Sequence, residues 1–139
     1  MSRCTRRLEF DAAHRVLRHE SKCRHVHGHR YRVEVTCSGA LDSVGRVIDF
    51  GVIKSIFGEW LDATLDHAYL ASPLDEFGTL LREQGQRVFT MPSPVNPTAE
   101  RLVEVLAAKA QELLGPEGVR VTAVRLYETP NCWADWSAE

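Results

Sequence analysis

The first regular pattern along the chain is an alternation of period two. Between residues 4 and 14, Leu8, Phe10, Ala12 and His14 share one parity, while Arg7, Glu9, Asp11 and Ala13 share the other. Successive side chains of a strand point to opposite faces, so this spacing predicts a half-buried strand with His14 at the end of its apolar face. A charged, histidine-containing loop follows. Tyr31, Val33, Val35 and Cys37 then alternate against Arg30, Arg32, Glu34 and Thr36, which predicts a second strand closed by Ser38-Gly39. Carried backward at the same period, its apolar face takes in His29 and His27.

Beyond residue 48 the period lengthens. Asp49 suits a helix N-cap, and Ile53, Ile56, Phe57, Trp60, Leu61 and Leu65 follow at helical spacing, with the helix ending before Asp66. Residues 72 to 95 hold Pro73, Gly78, Gly85, Pro92 and Pro94, leaving room for one short helix around Asp75 to Gln84 and little else. The clearest helix comes next: Asn96 or Thr98 caps it, Pro97 suits its first turn, and Leu102, Val103, Leu106, Ala110, Leu113 and Leu114 form its stripe before Gly115-Pro116 stops it. Val119 to Thr129 predicts a third strand whose apolar phase slips near Ala123, as a bulge or burial on both faces would produce. Thr129-Pro130-Asn131 makes a tight turn, and Cys132 to Ser137 pairs back as a fourth strand. The expected fold is α+β: a four-stranded antiparallel sheet with two main helices on one face. Such a layer leaves sheet edges to be covered, and association of several chains is the usual remedy.

Length and composition narrow this further. A chain of 139 residues accommodates one domain, taken here as residues 1–139, and 44% apolar with 26% charged residues is ordinary for a globular protein. The formal charge of −2 gives no reason to expect a nucleic-acid partner. Arg3, Arg6, Arg7, Arg15, Arg18, Lys22 and Arg24 nonetheless make the first segment locally basic, which suits an anionic small molecule or a solvated surface. No apolar run reaches the length of a bilayer span and the N-terminus lacks a secretory apolar stretch, so the expectation is a cytoplasmic protein with no membrane partner. Cys4, Cys23, Cys37 and Cys132 form no CxxC pair, which argues against a disulfide framework or an all-cysteine zinc site.

Chemistry concentrates in Cys23-Arg24-His25-Val26-His27-Gly28-His29. Histidines at i and i+2 of an extended segment project from one face and can offer two imidazoles to one zinc ion. His14 supplies the third, because the strand it ends can pair with the strand that follows His29. Three neutral imidazoles leave a coordination position open, as in catalytic zinc sites. Alone, the His27/His29 pair reads better as a surface feature, with His14 a hydrogen-bonded core residue; with His14 at a buried strand end and Cys23 four residues ahead of His27, the metal reading is preferred. Cys23 itself can be a fourth ligand, a buried thiol or a catalytic thiolate, which a neighbouring cation favours. Asp66-His67 forms a candidate acid/base couple at the end of the first helix, or simply a turn. Glu128 shares parity with Val124 and Leu126, so its carboxylate points into the apolar side and must meet a donor there, an arginine or the guanidine-like edge of a heterocycle.

Taken in order, Phe10-Asp11-Ala12-Ala13-His14, Cys23 with His27-Gly28-His29, Leu65-Asp66-His67, Asn96-Pro97-Thr98-Ala99-Glu100 and Glu128-Thr129-Pro130 resemble the 6-pyruvoyltetrahydropterin synthase and 6-carboxytetrahydropterin synthase family, from about residue 4 to residue 137. The resemblance implies that His14, His27 and His29 hold Zn2+ and that Cys23, Asp66 and His67 form the proton-transfer set. It also implies that Glu128 anchors the pterin's amino-pyrimidine edge, with Thr98 and Thr129 at other pterin contacts. The implied fold is the tunnelling fold, in which sheets of several subunits join into a barrel with active sites between chains, commonly as a hexamer of two stacked trimers. The implied substrate is 7,8-dihydroneopterin triphosphate. The closing Glu128-Thr129-Pro130-Asn131-Cys132-Trp133-Ala134 and the spacing from Cys23 to His27-Gly28-His29 resemble the bacterial 6-carboxy branch, which releases acetaldehyde and triphosphate on the way to queuosine and other 7-deazapurines. A 6-pyruvoyl product, an aldolase-like cleavage of dihydroneopterin, and a non-catalytic zinc- or pterin-binding module are the alternatives. Residues 70 to 95 depart from compact members of the family, with consequences expected at a subunit edge or the pocket mouth.

Overall fold

The computed structural model describes residues 1–139. Strands β1 (Arg3–His14) and β2 (His27–Ser38) pair antiparallel along their full length, with Arg3 opposite Ser38 and His14 opposite His27. Their shared alternation sends Leu8, Phe10, Ala12 and His14 to the same face as Tyr31, Val33, Val35 and Cys37, and all eight are buried. The other face carries cross-strand ion pairs, Arg7 with Glu34, Arg32 with Glu9 and Arg30 with Asp11.

The chain between residues 49 and 65 is helical, as expected, but not uniformly so. Helix α1 (Phe50–Ile53) runs through a π-helical turn, Lys54–Gly58, into helix α2 (Glu59–Thr64). Asp49 caps it by accepting from the Gly51 amide at 2.7 Å. The wide turn has a packing reason. Ile53, Phe57, Leu61 and Leu65 recur every four residues and are all at most 1% exposed; in a regular α-helix of 3.6 residues per turn such a row drifts round the axis, and one wider turn brings it back over the sheet.

The sheet is larger than the expected four strands, and it is mixed rather than antiparallel. Strands β3 (Ala68–Ala71) and β4 (Val88–Thr90) extend it to the order β4-β3-β1-β2-β5-β6, with β3 parallel to the last residues of β1 and β4 parallel to β3. Between them lies helix α3 (Glu76–Glu83), the short helix expected there. Every residue of β3 is buried, so it shows no alternation, and β4 has only three residues. Helix α4 (Ala99–Leu114) follows, with Thr98 rather than Asn96 as its cap: the Thr98 hydroxyl accepts from the Arg101 amide at 3.2 Å. Strands β5 (Arg120–Thr129) and β6 (Cys132–Ser137) complete the sheet. The phase slip in β5 is a bulge, since Thr36 faces Ala123 while Cys37 faces Val121, leaving Thr122 unmatched. Helices α1, α2 and α4 cover one face of the sheet and enclose the core, where Tyr31, Phe57, Leu106 and Leu126 are among the fully buried side chains, each contributing about 1.5–3 kcal/mol. No helix is long and apolar enough to cross a membrane.

The β3-α3-β4 addition is locked to β1 through Asp75, the α3 N-cap, which is 2% exposed. Its carboxylate accepts from Arg15 Nε at 3.2 Å, the Tyr69 hydroxyl at 2.6 Å and the Phe77 amide at 3.0 Å. Burial pushes the Asp75 carboxyl up, but these donors, Arg15 first, outweigh it and hold the group below the ordinary carboxylate range. Asp75→Ala is expected to destabilise the fold by about 2–3 kcal/mol in denaturant unfolding, somewhat under the cost of breaking a fully buried pair because Arg15 retains access to water. A depressed folded pKa stabilises above the unfolded value of about 3.9 and ceases to as pH falls through the folded value. The gap between wild type and variant should therefore narrow below about pH 4; a gap constant across that range would assign the loss to packing alone.

Candidate metal centre and its surroundings

The register of β1 and β2 assembles the three histidines. His14, the last residue of β1, stands opposite His27, the first of β2, and His29 stands opposite Ala12 on the same face. Their ring centroids are 4.7 Å (His14 to His27), 4.9 Å (His27 to His29) and 5.2 Å (His14 to His29) apart. One nitrogen from each lies within 4.8 Å of the others.

Backbone carbonyls settle two of the tautomers. His14 Nδ1 lies 2.8 Å from the Pro97 carbonyl and His27 Nδ1 lies 2.7 Å from the His25 carbonyl. A carbonyl only accepts, so each Nδ1 carries the proton and each Nε2 presents a lone pair. This is the outer hydrogen bonding that orients metal-bound imidazoles. The Nε2 atoms of His14 and His29 are buried without a hydrogen-bond partner, an arrangement that costs about 1–3 kcal/mol per group unless something else engages it. A zinc ion fits this donor set. Burial pushes the His14 pKa down to about 4, against the opposing effect of the Pro97 carbonyl and with help from His27 and His29. Burial also lowers that of His29, Glu128 opposing it. Both rings are thus neutral and ready to ligate at pH 7.

Around the triad, the sequence-derived residues fall into two groups. Glu128 points to the same face, as its parity predicted, and its Oε2 lies 3.1 Å from His29 Nε2 without the alignment of a hydrogen bond. No arginine neutralises it. Cys23 sits half-buried as a free thiol on a single 3-10 turn, Lys22–Arg24, in the loop joining β1 to β2. Its carbonyl accepts from the Val16 amide at 2.7 Å, which ties the turn to the chain just past His14. The thiol is not one of the atoms that cluster with the imidazoles. Thr98 and Thr129 accept with their hydroxyl oxygens from the Arg101 and Asn131 amides, leaving each hydroxyl proton free to donate.

Asp66 and His67 are paired, His67 Nδ1 to Asp66 Oδ2 at 2.8 Å, but they stand elsewhere. The pair is bound to the β1 backbone at Asp11, whose amide donates to Asp66 Oδ1 at 2.9 Å and whose carbonyl accepts from the His67 amide at 2.6 Å. Asp11 faces Arg30 on the ion-paired side of the sheet. The charges of His67 and Asp66 act on Asp11 and Arg30 there, so within one chain the pair stands at the β1 edge toward the face opposite the imidazoles, and the nine expected site residues do not form a single cluster.

Three contributors escaped the sequence reading. The Pro97 carbonyl orients His14, Tyr31 places its hydroxyl 3.3 Å from the same nitrogen, and Asn96 grips Leu17 from both ends of its amide, at 2.9 and 3.0 Å. Asn96 thereby pins the loop that carries Cys23 to the start of α4. Its position just before Pro97, where it cannot be the cap once Thr98 is, was the available signal.

Comparison with known proteins agrees with this geometry. A family model described as 6-pyruvoyl tetrahydropterin synthase matches residues 3–139. A 6-carboxy-5,6,7,8-tetrahydropterin synthase of Rickettsia conorii is 40% identical over 139 residues, 97% of this chain and 99% of that one. Among solved structures, an uncharacterized protein from Wolinella succinogenes superposes with a TM-score of 0.84 at 25% identity, over 99% of this chain and 98% of that one. The 6-pyruvoyl tetrahydropterin synthase of Caenorhabditis elegans does so with a TM-score of 0.69 at 21% identity, over 99% and 96% of the two chains; that likeness speaks to the fold. With a full-length family match, a full-length relative and three converging imidazoles in agreement, the chain belongs to the 6-pyruvoyl tetrahydropterin synthase family.

Proposed function

We propose that the chain is a zinc-dependent 6-carboxytetrahydropterin synthase, a lyase that converts 7,8-dihydroneopterin triphosphate and water to 6-carboxy-5,6,7,8-tetrahydropterin, acetaldehyde and triphosphate, at an early step toward 7-deazapurines such as queuosine. The observation that carries this reading is the pair of buried, unpartnered Nε2 atoms of His14 and His29 beside His27. The choice of the 6-carboxy product is supported by the full-length relative from Rickettsia conorii.

Bound by His14, His27 and His29, zinc would supply Lewis-acid polarisation of a side-chain oxygen of the substrate. The remaining work belongs to the chain. Cys23 accepts and returns a proton at the side chain, from a loop held close to His14. Glu128 accepts from the amino and ring N–H groups of the pterin edge, and Thr98 and Thr129 donate their free hydroxyl protons to it. Asp66 and His67 provide the second acid/base couple: burial pushes the Asp66 carboxyl up, but the Asp11 amide and His67 outweigh it and keep the group ionised, so that it holds the His67 ring.

Because that couple stands apart from the imidazoles within one chain, the reading requires a second chain to complete each site. Two features support an assembly, which we take to be a hexamer of two trimers. β3 pairs with β1 only at Ala12 to His14, which leaves the edge of β1 from Arg3 to Asp11 without a strand, and β6 pairs only with β5. Joining such edges between chains removes them.

Metal content and product identity on one purified sample test the proposal. The expected result is about one zinc per chain and acetaldehyde released in step with triphosphate. Glycolaldehyde would mean aldolase-like cleavage, an uncleaved pyruvoyl side chain would mean the sister activity, and zinc without any turnover would mean a binding module.

A further inference from the structure

We propose that Arg87 is a positioning residue for the Asp66–His67 couple, and that the β3-α3-β4 addition serves the site by delivering it. The proposal rests on the role given to that couple above. Arg87 Nη1 donates to the Asp62 carbonyl and to the Asp66 carbonyl, both at 2.8 Å. The first belongs to the last turn of α2 and the second is the peptide that links Asp66 to His67. One guanidinium nitrogen therefore clamps the turn on both sides of its bend.

The turn needs a clamp. His67 has φ of 61°, a left-handed backbone conformation that costs a residue with a Cβ about 1–2 kcal/mol. Such conformations persist where surrounding bonds over-determine them, and they gather at functional sites. Two bonds from Asp11 hold the couple against β1, and Arg87 holds it from the opposite side. Asp11 accepts from the N–H end of the Asp66–His67 peptide and Arg87 donates to its C=O end, so the two bonds grip one planar peptide from opposite sides, and that peptide sets where the imidazole points.

Arg87 is itself placed by the addition. Its carbonyl accepts from the Tyr69 amide at 3.0 Å, and the next residue, Val88, opens β4 opposite Tyr69. Two residues beyond the couple, the chain thus meets the strand that carries its brace. Gly78 on α3 allows this packing, since a Cβ there would come within 2.8 Å of the Ala71 Cβ. The segment that reads in sequence as a Pro- and Gly-rich interruption acts as a short βαβ support for the reactive turn.

The test uses Arg87→Ala and Arg87→Lys in the full-length protein, with His67→Ala as reference. The expected result for Arg87→Ala is a fall in kcat of about 10–100-fold, the scale of losing an orienting partner. KM and zinc content should stay near wild type, with partial recovery on adding millimolar guanidinium and in Arg87→Lys. Independently of turnover, 15N NMR should show the His67 ring held as the Nδ1-protonated tautomer in wild type and exchanging between tautomers in Arg87→Ala. Wild-type kcat with an unchanged His67 ring in Arg87→Ala would overturn the proposal; so would a loss that guanidinium leaves untouched and that tracks a lowered melting temperature. If His67→Ala keeps full turnover, the reading of the couple fails instead, while the tautomer measurement still decides whether Arg87 orients the ring.

Discussion

His14→Ala is expected to give a chain that folds but no longer retains zinc or turns over substrate. His14 is 1% exposed and contributes one of only three donors, so its loss should weaken the metal by more than the roughly 10–100-fold that follows from removing an outer hydrogen-bond partner. The variant also leaves the Pro97 carbonyl without its donor, an expense of about 1–3 kcal/mol that a thermal melt will show. Melting with and without added zinc separates the two effects. The wild type should melt higher with zinc, by linkage to binding of the folded state, while the variant's midpoint should not respond. Zinc retained through dialysis at wild-type stoichiometry in His14→Ala would sink the metal assignment. A pH titration of the metal-free wild type gives a further check. Because the folded His14 pKa is depressed to about 4, the unfolded chain binds more protons below about pH 6.5, and stability should decline as pH falls from there toward 4.

How much of this could be read beforehand follows from length and burial. β1 and β2 were legible because each alternates over twelve residues with one face buried and the other ion-paired, and the same alternation located all three histidines. β3 was not legible. Ala68-Tyr69-Leu70-Ala71 is buried on both sides, between β1 and β4, so it carries no period, and four residues are too few to outweigh the turn that precedes them. β4 is shorter still and lies between Gly85 and Pro92, which reads as loop. Both are stabilised by parallel neighbours distant in sequence, a contribution that local pattern does not contain. The helix from Asp49 was legible, yet its π-helical turn was written only in the strict four-residue recurrence of Ile53, Phe57, Leu61 and Leu65.

The site divides along the same line. Sequence parity found which way His14, His27 and His29 point, because they lie on regularly paired strands, and Glu128 keeps the parity of Val124 and Leu126 although the β5–β6 register shifts beside it. It could not find that Asp66 and His67 stand apart from the imidazoles. That outcome depends on the left-handed backbone at His67 and on the two bonds to Asp11, neither of which leaves a trace in composition or spacing. That separation of the Asp66–His67 couple from the imidazoles within one chain is the physical argument behind the proposed assembly.

Cys23→Ala is expected to separate catalysis from metal binding. The thiol lies outside the cluster of imidazole nitrogens, and the bond that holds its turn beside His14 is made by the Cys23 backbone, which the substitution preserves. Cys23 is half-buried and unpaired in any disulfide, so loss of its sulfur should change stability by no more than about 0.5 kcal/mol. Zinc content and KM should therefore stay close to wild type while kcat falls by about 10²–10⁴-fold, the range for removing a positioned acid/base group. Cys23→Ser tests the same point at constant shape. A hydroxyl of that size fills the site but does not ionise near neutral pH, so its kcat should lie nearer to the alanine variant than to wild type. If Cys23→Ala instead loses zinc together with activity, the thiol is a ligand and the coordination position assigned to substrate is already filled.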